Sequence, residues 1–187
     1  SAKGISFSWS GEPAAYALDP ADSSNYVCKH DNETLWDQLQ YKHGTNLSIE
    51  ERVRVHNMAL AMPLMSQGIP FMQMGADMLR SKSMDRNSYD SGDWFNFVDF
   101  SKETNNWNVG LPPAQDNQAK WGEIAPISAN TNAQAMASDI EYASNIFTEF
   151  LAIRSASPLF SLTTEQDILD RVGFHNIGKR QQQGLVV

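Results

Sequence analysis

The chain has 187 residues, of which 41% are hydrophobic, and this content is enough for one ordinary domain with a core. Its formal charge of −8, with no run of Lys and Arg, argues against a nucleic acid or an anionic membrane as partner, because both require a basic face. The single cysteine, Cys28, excludes an internal disulfide and a cysteine-based zinc cluster, and no apolar run reaches the ~18 residues of a membrane span.

The first candidate site lies where an apolar strand meets a polar cluster. Residues 1–24 are rich in Ser, Gly, Pro and Ala and are predicted to form an irregular surface segment. A strand predicted over residues 26–29 then runs into the polar residues His30 to Glu33, and a helix is predicted over 34–42. Active-site side chains project from such junctions in parallel α/β folds, because the strand fixes the backbone while the loop leaves the side chains free.

A second helix is predicted to begin at Ser48, because Ser48 and Glu51 have the spacing of a capping box. Residues 53–65 are apolar almost all round, so this helix is expected to be covered on several sides, with the methionines at 58, 62 and 65 filling the core. Pro63 should kink the helix or mark its last turn, and Gly68 should end it.

A second buried strand is predicted over residues 69–75, where the apolar run IPFMQMG lies between glycines. Strand, helix and strand in this order form a β-α-β unit, which implies a parallel pair with a right-handed crossover. The polar region 76–131 that follows is very long, and structureless loops of that length are rare in compact domains unless they are functional. Beyond it, a helix is predicted over 132–155 and two strands over 168–175 and 184–187.

Three motifs carry a family resemblance: NYVCKHDN at residues 25–32, GIPF at 68–71 and RSKSMDRNSYDSGDWFN at 80–96. They resemble the end of barrel strand seven, strand eight, and the loop after strand eight in the bacterial type I pullulanases and limit dextrinases of the α-amylase superfamily. The long loop motif is the most specific of the three, because it is peculiar to the debranching enzymes. The chain departs from the family at Cys28, where pullulanases commonly have Ser.

The resemblance implies an α/β fold. The chain would be the C-terminal portion of a (β/α)8 TIM barrel, from strand seven to helix eight, followed by the first strands of an all-β C-terminal domain. Residues 1–157 would then belong to the catalytic barrel and residues 158–187 to a truncated β-sandwich. The resemblance also implies a secreted or cell-surface bacterial parent protein, although the chain itself does not indicate a location.

Asp31 and His30 are the catalytic residues that the resemblance implies. Asp31 would stabilise the transition state by contacting hydroxyls of the reacting sugar, and His30 would donate a hydrogen bond to the same sugar. The alternatives are that Asp31 is the N-cap of the following helix and that His30 is a neutral core histidine bonded to the backbone. Asn32 is either a further sugar contact or simply a turn residue.

The loop over residues 80–96 is expected to bind substrate outside the cleavage subsite. It supplies charged and planar hydrogen-bonding groups for sugar hydroxyls, and aromatic rings that can stack on pyranose faces. The alternative is a salt-bridged loop that only shapes the wall of the site. The substrate-binding residues predicted in this loop are Arg86, Tyr89, Asp90, Asp93, Trp94 and Asn96.

The predicted function is hydrolysis of α-1,6-glucosidic linkages in starch or pullulan with retention of configuration. A retaining glycosidase needs two carboxyl groups about 5 Å apart. In the family these lie upstream of Ser1, so the chain alone is expected to be inactive. The partner would be an α-glucan oligosaccharide or polysaccharide, and exposed strand edges would let the fragment self-associate. No cofactor is predicted, and calcium in the parent protein would have no assignable ligand in this chain.

Two other functions stay open. The chain could be a non-catalytic carbohydrate-binding fragment that keeps the sugar-facing loop without the chemistry. It could also be an HD-type metal phosphohydrolase that uses His30 and Asp31 together with His43 and His56. That site needs ligands that converge from separate helices, and the β-α-β context of His30 argues against it.

Overall fold

The computed structural model describes residues 8–13, 17–173, 175–176, 179–180 and 182. Helices dominate these residues, and the strands are two residues long. The helices are α1 (Leu35–Lys42), α2 (Ile49–Met65), α3 (Gly92–Asn96), α4 (Ala114–Asn117), α5 (Trp121–Ser128), α6 (Ala137–Ser155) and α7 (Glu165–Arg171). The strands are β1 (Ser8–Trp9), β2 (Glu12–Pro13), β3 (Ser24–Asn25) and β4 (Ile69–Pro70), with β1 antiparallel to β2 and β3 parallel to β4.

The predicted fold class, the end of a (β/α)8 barrel followed by strands of an all-β domain, is wrong. About half of the chain is helical. In the described ranges each sheet has two strands, whereas a barrel sheet needs a closed row of neighbouring strands. The strand predicted over residues 168–175 is also wrong, because Ile168 lies in α7. The Thr164 hydroxyl caps this helix by accepting a hydrogen bond from the Asp167 N–H at 3.1 Å. The strand predicted over 184–187 lies outside the described residues.

The predicted β-α-β unit is present, but its strands are shorter and shifted. β3 and β4 run parallel, and α1 and α2 connect them. The Ile69 N–H donates a hydrogen bond to the Ser23 carbonyl at 2.8 Å. β3 ends before the predicted strand begins, so Tyr26 and Val27 lie outside the ladder and are exposed. Gly68 has a φ of +90°, and an added Cβ would lie 2.7 Å from the Ser23 carbonyl oxygen, so this position requires glycine.

Both predicted helix starts are confirmed by capping hydrogen bonds. The Thr34 hydroxyl accepts a hydrogen bond from the Asp37 N–H at 3.2 Å, and α1 follows directly. At α2, the Glu51 N–H donates to the Ser48 hydroxyl at 3.3 Å and the Ser48 N–H donates to the Glu51 carboxylate at 2.9 Å, so the capping box is complete. Pro63 lies in the last turn of α2, as predicted.

The outer face of α2 is less covered than its sequence predicts. Met58 and Met62 are 57% and 52% exposed, so the prediction that they fill the core is wrong for this chain. On the opposite face Val53, Leu60 and Leu64 are buried, and α2 packs against α6. The apolar surface that α2 buries is therefore one stripe and not its whole circumference.

Arg154 fixes α6 to the end of α2. Its guanidinium donates hydrogen bonds to the carbonyl oxygens of Leu64, Ser66 and Gly68 at 2.6, 2.8 and 2.9 Å. These carbonyls lie at or just beyond the end of α2, where the helix supplies no further N–H donors. α6 itself begins later than predicted, because Thr131–Ala133 forms a short 3-10 turn before it.

The long polar region over residues 76–131 is packed and ordered by short helices. It contributes Leu79, Met84, Trp107 and Ile124 to the main buried cluster, where they join Trp36 of α1. A region that the sequence marks as polar therefore supplies a large part of the core. The buried residues of this region fix its backbone, and the exposed side chains project from that backbone.

We expect Ser48→Ala to lower the free energy of unfolding by ~1 kcal/mol, because it removes the cap at the start of α2. Ser138→Ala is the matched control at an exposed position in the first turn of α6, and it should change this free energy by less than ~0.5 kcal/mol. Urea unfolding followed by circular dichroism measures both. Equal effects of the two substitutions would contradict the capping role.

Candidate functional site

The candidate site starts at the polar turn, residues 29–33, which lies between β3 and α1. The side chains of His30 and Asp31 are 85% and 53% exposed. Because Thr34 caps α1, Asp31 is not the N-cap, and the exposure of His30 is incompatible with a core histidine. Both alternatives are wrong, while the catalytic roles of the two residues stay predictions.

Asp31 lies between basic side chains. Lys29 Nζ donates a hydrogen bond to one carboxylate oxygen of Asp31, and His30 Nε2 lies 3.3 Å from the other. The hydrogen bond from Lys29 lowers the pKa of Asp31, and the charges of His30 and Lys82 lower it further. The carboxylate is therefore ionised at neutral pH.

Asn32 continues the polar turn in a left-handed conformation. Its φ is +61°, which asparagine tolerates better than most residues, and its side chain is exposed. Its carbonyl oxygen accepts a hydrogen bond at 2.7 Å from Nζ of Lys82, a residue that is itself buried. The backbone favours the interpretation of Asn32 as a turn residue, and its exposed side chain leaves a sugar contact open.

A buried carboxylate beneath the polar turn organises the segment that follows β4. Asp37 in α1 accepts hydrogen bonds from the Ser81 hydroxyl at 2.5 Å, the Lys82 N–H at 2.8 Å and the Met84 N–H at 3.2 Å. Burial raises the pKa of Asp37 to about 6, although these hydrogen bonds oppose the rise. Ser83 and Met84 have φ values of +51° and +64°, so the backbone wraps around the carboxylate in a left-handed conformation.

A second buried carboxylate closes the loop that carries the predicted substrate residues. Asp85 accepts hydrogen bonds from the Asn87 N–H at 2.9 Å, the Ser91 hydroxyl at 2.6 Å and Asn117 Nδ2 at 3.0 Å. Asn117 Oδ1 in turn accepts a hydrogen bond from the Arg86 N–H at 3.1 Å. The backbone of Arg86 is therefore fixed while its side chain is exposed.

α3 and the residues before it present aromatic and acidic side chains to solvent. Tyr89 and Trp94 are 77% and 67% exposed, and Asp90 and Asp93 are also exposed. The Trp94 indole N–H donates a hydrogen bond to the Val109 carbonyl at 2.9 Å, which orients the ring. Exposed aromatic rings beside carboxylates provide flat surfaces and hydrogen-bond acceptors on the same loop.

Asn96 differs from the other predicted substrate residues, because its amide is used inside the loop. Its Nδ2 atom donates hydrogen bonds to the carbonyls of Ser88 and Gly92 at 2.6 and 3.0 Å. Its own carbonyl oxygen accepts a hydrogen bond from Arg80 at 2.7 Å. Asn96 therefore holds the loop together, and any contact with a ligand is left to its Oδ1 atom.

The polar turn and the loop over residues 80–96 are joined through backbone atoms and buried residues. In the described part of the chain, no hydrogen bond or ion pair links the polar turn to the side chains of residues 86–93. The links are made by Lys82 and Asp37, to which the sequence analysis assigned no role. An acidic residue in the first turn of a helix is ordinary, so neither spacing nor composition marked Asp37 as buried.

The histidines do not converge on a metal site. His56 is buried, its Nε2 atom lies 2.7 Å from the Ala76 carbonyl oxygen, and burial lowers its pKa to about 4. Over the ranges that the structure describes, no three His, Cys, Asp or Glu side chains are arranged to hold a metal ion, so the metal phosphohydrolase alternative has no support. Among the same residues, no helix has the length and apolar character needed to cross a membrane.

A family model matches the C-terminal part of the chain. Residues 102–187 match the model described as alpha-1,6-glucosidases, pullulanase-type, C-terminal. This match covers the region that was predicted to contain the end of a barrel and the start of a β-sandwich, and it agrees with the helical architecture in overturning that prediction.

Individual pullulanases are similar to nearly the whole chain. Pullulanase 1, chloroplastic, of Arabidopsis thaliana is 46% identical over 94% of this chain and 18% of its own length. The crystal structure of apo pullulanase from Klebsiella pneumoniae gives a TM-score of 0.91 at 41% identity, over 98% of this chain and 20% of that one. The same enzyme complexed with maltotriose gives 0.91 at 41% identity, over 98% and 17%. The predicted resemblance is confirmed: the chain is similar to pullulanases over nearly all of its own length, and it spans about a fifth of the length of these relatives.

We expect Asp37 to make the free energy of unfolding fall as the pH rises from about 4 to about 6. The pKa of Asp37 is about 6 in the folded protein against an ordinary 3.8, so in this window the folded state holds a proton that the unfolded chain has released. The proton stabilises the fold fully below pH ~4, and this contribution of roughly 3 kcal/mol is lost as the pH rises past 6.

Asp37→Asn should remove this part of the pH dependence, because the amide does not titrate. Urea unfolding at several pH values across the window measures the slope for each variant. Asp170→Asn, at an exposed position in α7, is the matched control and should keep the wild-type slope. An unchanged slope in folded Asp37→Asn would show that another group is responsible.

Proposed function

We propose that the chain supplies part of the substrate site of a debranching glycoside hydrolase, which cleaves α-1,6-glucosidic linkages in starch or pullulan with retention. The observation that carries the proposal is a contrast between exposed and buried polar groups. His30, Asp31 and residues 86–94 expose charged and aromatic side chains, whereas the carboxylates of Asp37 and Asp85 beneath them are buried and hydrogen-bonded. A rigidly supported surface of this kind suits a neutral, hydroxyl-rich ligand.

Asp31 would stabilise the transition state of glycoside cleavage. The sugar ring gains positive charge as it flattens toward an oxocarbenium ion, and a carboxylate that is already ionised stabilises this charge without reorganisation. The hydrogen bond from Lys29 lowers the pKa of Asp31 further, and His30 beside it would donate a hydrogen bond to a hydroxyl of the same sugar. The nucleophile and the acid/base would come from the parts of a full-length pullulanase that this chain does not span.

The loop after β4, residues 80–96, would hold glucose units outside the cleavage subsite. Arg86, Asp90 and Asp93 offer charged donors and acceptors for hydroxyl groups, while Tyr89 and Trp94 offer exposed rings for pyranose faces. Klebsiella pneumoniae pullulanase has been solved in complex with maltotriose, which supports a neutral oligosaccharide as the ligand. The formal charge of −8 also favours an uncharged partner.

In the full-length protein we expect Asp31→Asn to lower kcat on pullulan by ~10²-fold or more, because a preorganised charge at the transition state is lost. KM should change much less, since the lost interaction is specific to the transition state. Steady-state kinetics beside thermal unfolding measures the effect. The isolated chain is the negative control and should show no turnover. Maltotriose binding by the isolated chain, together with a full-length protein that lacks activity, would support the carbohydrate-binding alternative.

A folded Asp31→Asn protein with near-normal kcat would contradict the catalytic role of Asp31. Turnover by the repurified isolated chain, lost on Asp31→Asn, would contradict the division of catalytic groups between this chain and the rest of the protein. A full-length wild-type protein without activity on pullulan would contradict the proposed function itself.

We expect Arg86→Ala to raise KM on pullulan more than it lowers kcat, because a contact outside the cleavage subsite contributes mainly to ground-state binding. Arg54→Ala, at an exposed position in α2, is the matched control and should leave both constants near the wild-type values. Steady-state kinetics with pullulan measures both variants. A fall in kcat with unchanged KM for Arg86→Ala would place this residue in the chemical step instead.

A further inference from the structure

Lys82 connects the loop after β4 to the polar turn from beneath. It is 1% exposed, which is rare for lysine, and its Nζ atom donates a hydrogen bond at 2.7 Å to the carbonyl of Asn32. Its backbone N–H donates to the Asp37 carboxylate at 2.8 Å. Within the described ranges, no other side chain from outside the polar turn hydrogen-bonds to the backbone of that turn.

We propose that Lys82 is a positioning residue, which fixes the backbone of the polar turn and so aims the Asp31 carboxylate at the sugar. The inference rests on the proposed function and extends it to a residue that is shielded from solvent. Lys82 acts through the carbonyl of Asn32, one residue beyond Asp31, and not through contact with substrate, while its charge also helps to lower the pKa of Asp31.

The polar turn needs support from outside, because its predicted catalytic side chains have little packing of their own. His30 and Asp31 are 85% and 53% exposed, and their ion-pair contacts are with each other and with Lys29 in the same turn. The direction of the Asp31 carboxylate is therefore set by the backbone. A displacement of about 1 Å in a catalytic group can cost up to about 10²-fold in rate.

The surroundings of Lys82 suit such a supporting role. Asn32 has a φ of +61°, and a hydrogen bond to its carbonyl oxygen opposes rotation out of this left-handed conformation. Burial lowers the pKa of Lys82, and the carboxylates of Asp37 and Asp85 counter this by favouring the charged ammonium. Because Asp37 belongs to α1, Lys82 ties the polar turn to the helix that directly follows it.

A double-mutant cycle in the full-length protein tests the inference, with pullulan kinetics and thermal unfolding measured for each variant. Lys82→Met removes the donor and the charge but keeps the length of the side chain. We expect it to lower kcat by about 10-fold and to change KM by less than about 2-fold. In the Asp31→Asn background the same substitution should cost less than about 2-fold, because no carboxylate is left to aim.

Two further variants make the cycle decisive. Lys42→Met, at an exposed position at the end of α1, is the matched control and should keep wild-type kinetics. Lys82→Arg takes the place of Lys82→Met if the methionine variant does not fold, because arginine keeps the charge in a changed geometry. Its smaller loss of kcat should also vanish in the Asp31→Asn background.

An equal loss of kcat in both backgrounds would overturn the inference and leave the proposed function intact, because Lys82 would then act independently of Asp31. Folded Lys82 variants with wild-type kcat would overturn it in the same way. A wild-type protein that does not hydrolyse pullulan would instead overturn the proposed function, and this inference with it.

Discussion

The buried carboxylate of Asp37 is the interaction on which the rest of this structure depends. It accepts hydrogen bonds from Ser81, Lys82 and Met84, which lie 44, 45 and 47 residues farther along the chain. Burying a carboxylate away from water costs free energy. Hydrogen-bond donors offset this cost only if the backbone brings several of them close to the carboxylate oxygens. Ser83 and Met84 adopt left-handed conformations, which cost on the order of 1–3 kcal/mol each. The hydrogen bonds to Asp37 must offset this cost.

How much of the fold could be predicted depends on how local the deciding contacts are. The helix starts at Thr34 and Ser48 were predictable, because each capping partner lies three residues away. The strands were not, because β3 and β4 come from distant parts of the sequence. β3 lies just before the first predicted apolar run, and only Ile69 and Pro70 of the second run find a partner. Ile168 was assigned to a strand from its apolar neighbours, although Thr164 carries a local signal for a helix start.

In the candidate site, the exposed residues could be predicted from the sequence and the buried charged residues could not. His30 and Asp31 were identified from a motif, and they are exposed, as residues that meet a ligand must be. The supporting charges of Asp37, Lys82 and Asp85 were missed, because charged residues normally lie on the surface and nothing in their spacing marks them as buried. In the proposed site, exposed residues would meet the ligand and buried residues would support them, so substitutions of the buried set should disturb several exposed groups at once.

The three hydrogen bonds of Arg154 imply an order of events during synthesis. The carbonyls that its guanidinium holds lie 90, 88 and 86 residues earlier in the chain. At the usual elongation rate of about 5–20 residues per second, they leave the ribosome roughly 5–20 s before their partner does. In that interval the carbonyl oxygens at the end of α2 and just before β4 can accept hydrogen bonds from water but not from Arg154. The polar turn and the loop over residues 80–96 are thus translated before Arg154, so the newborn chain passes through a stage in which the exposed residues of the candidate site exist without these three hydrogen bonds.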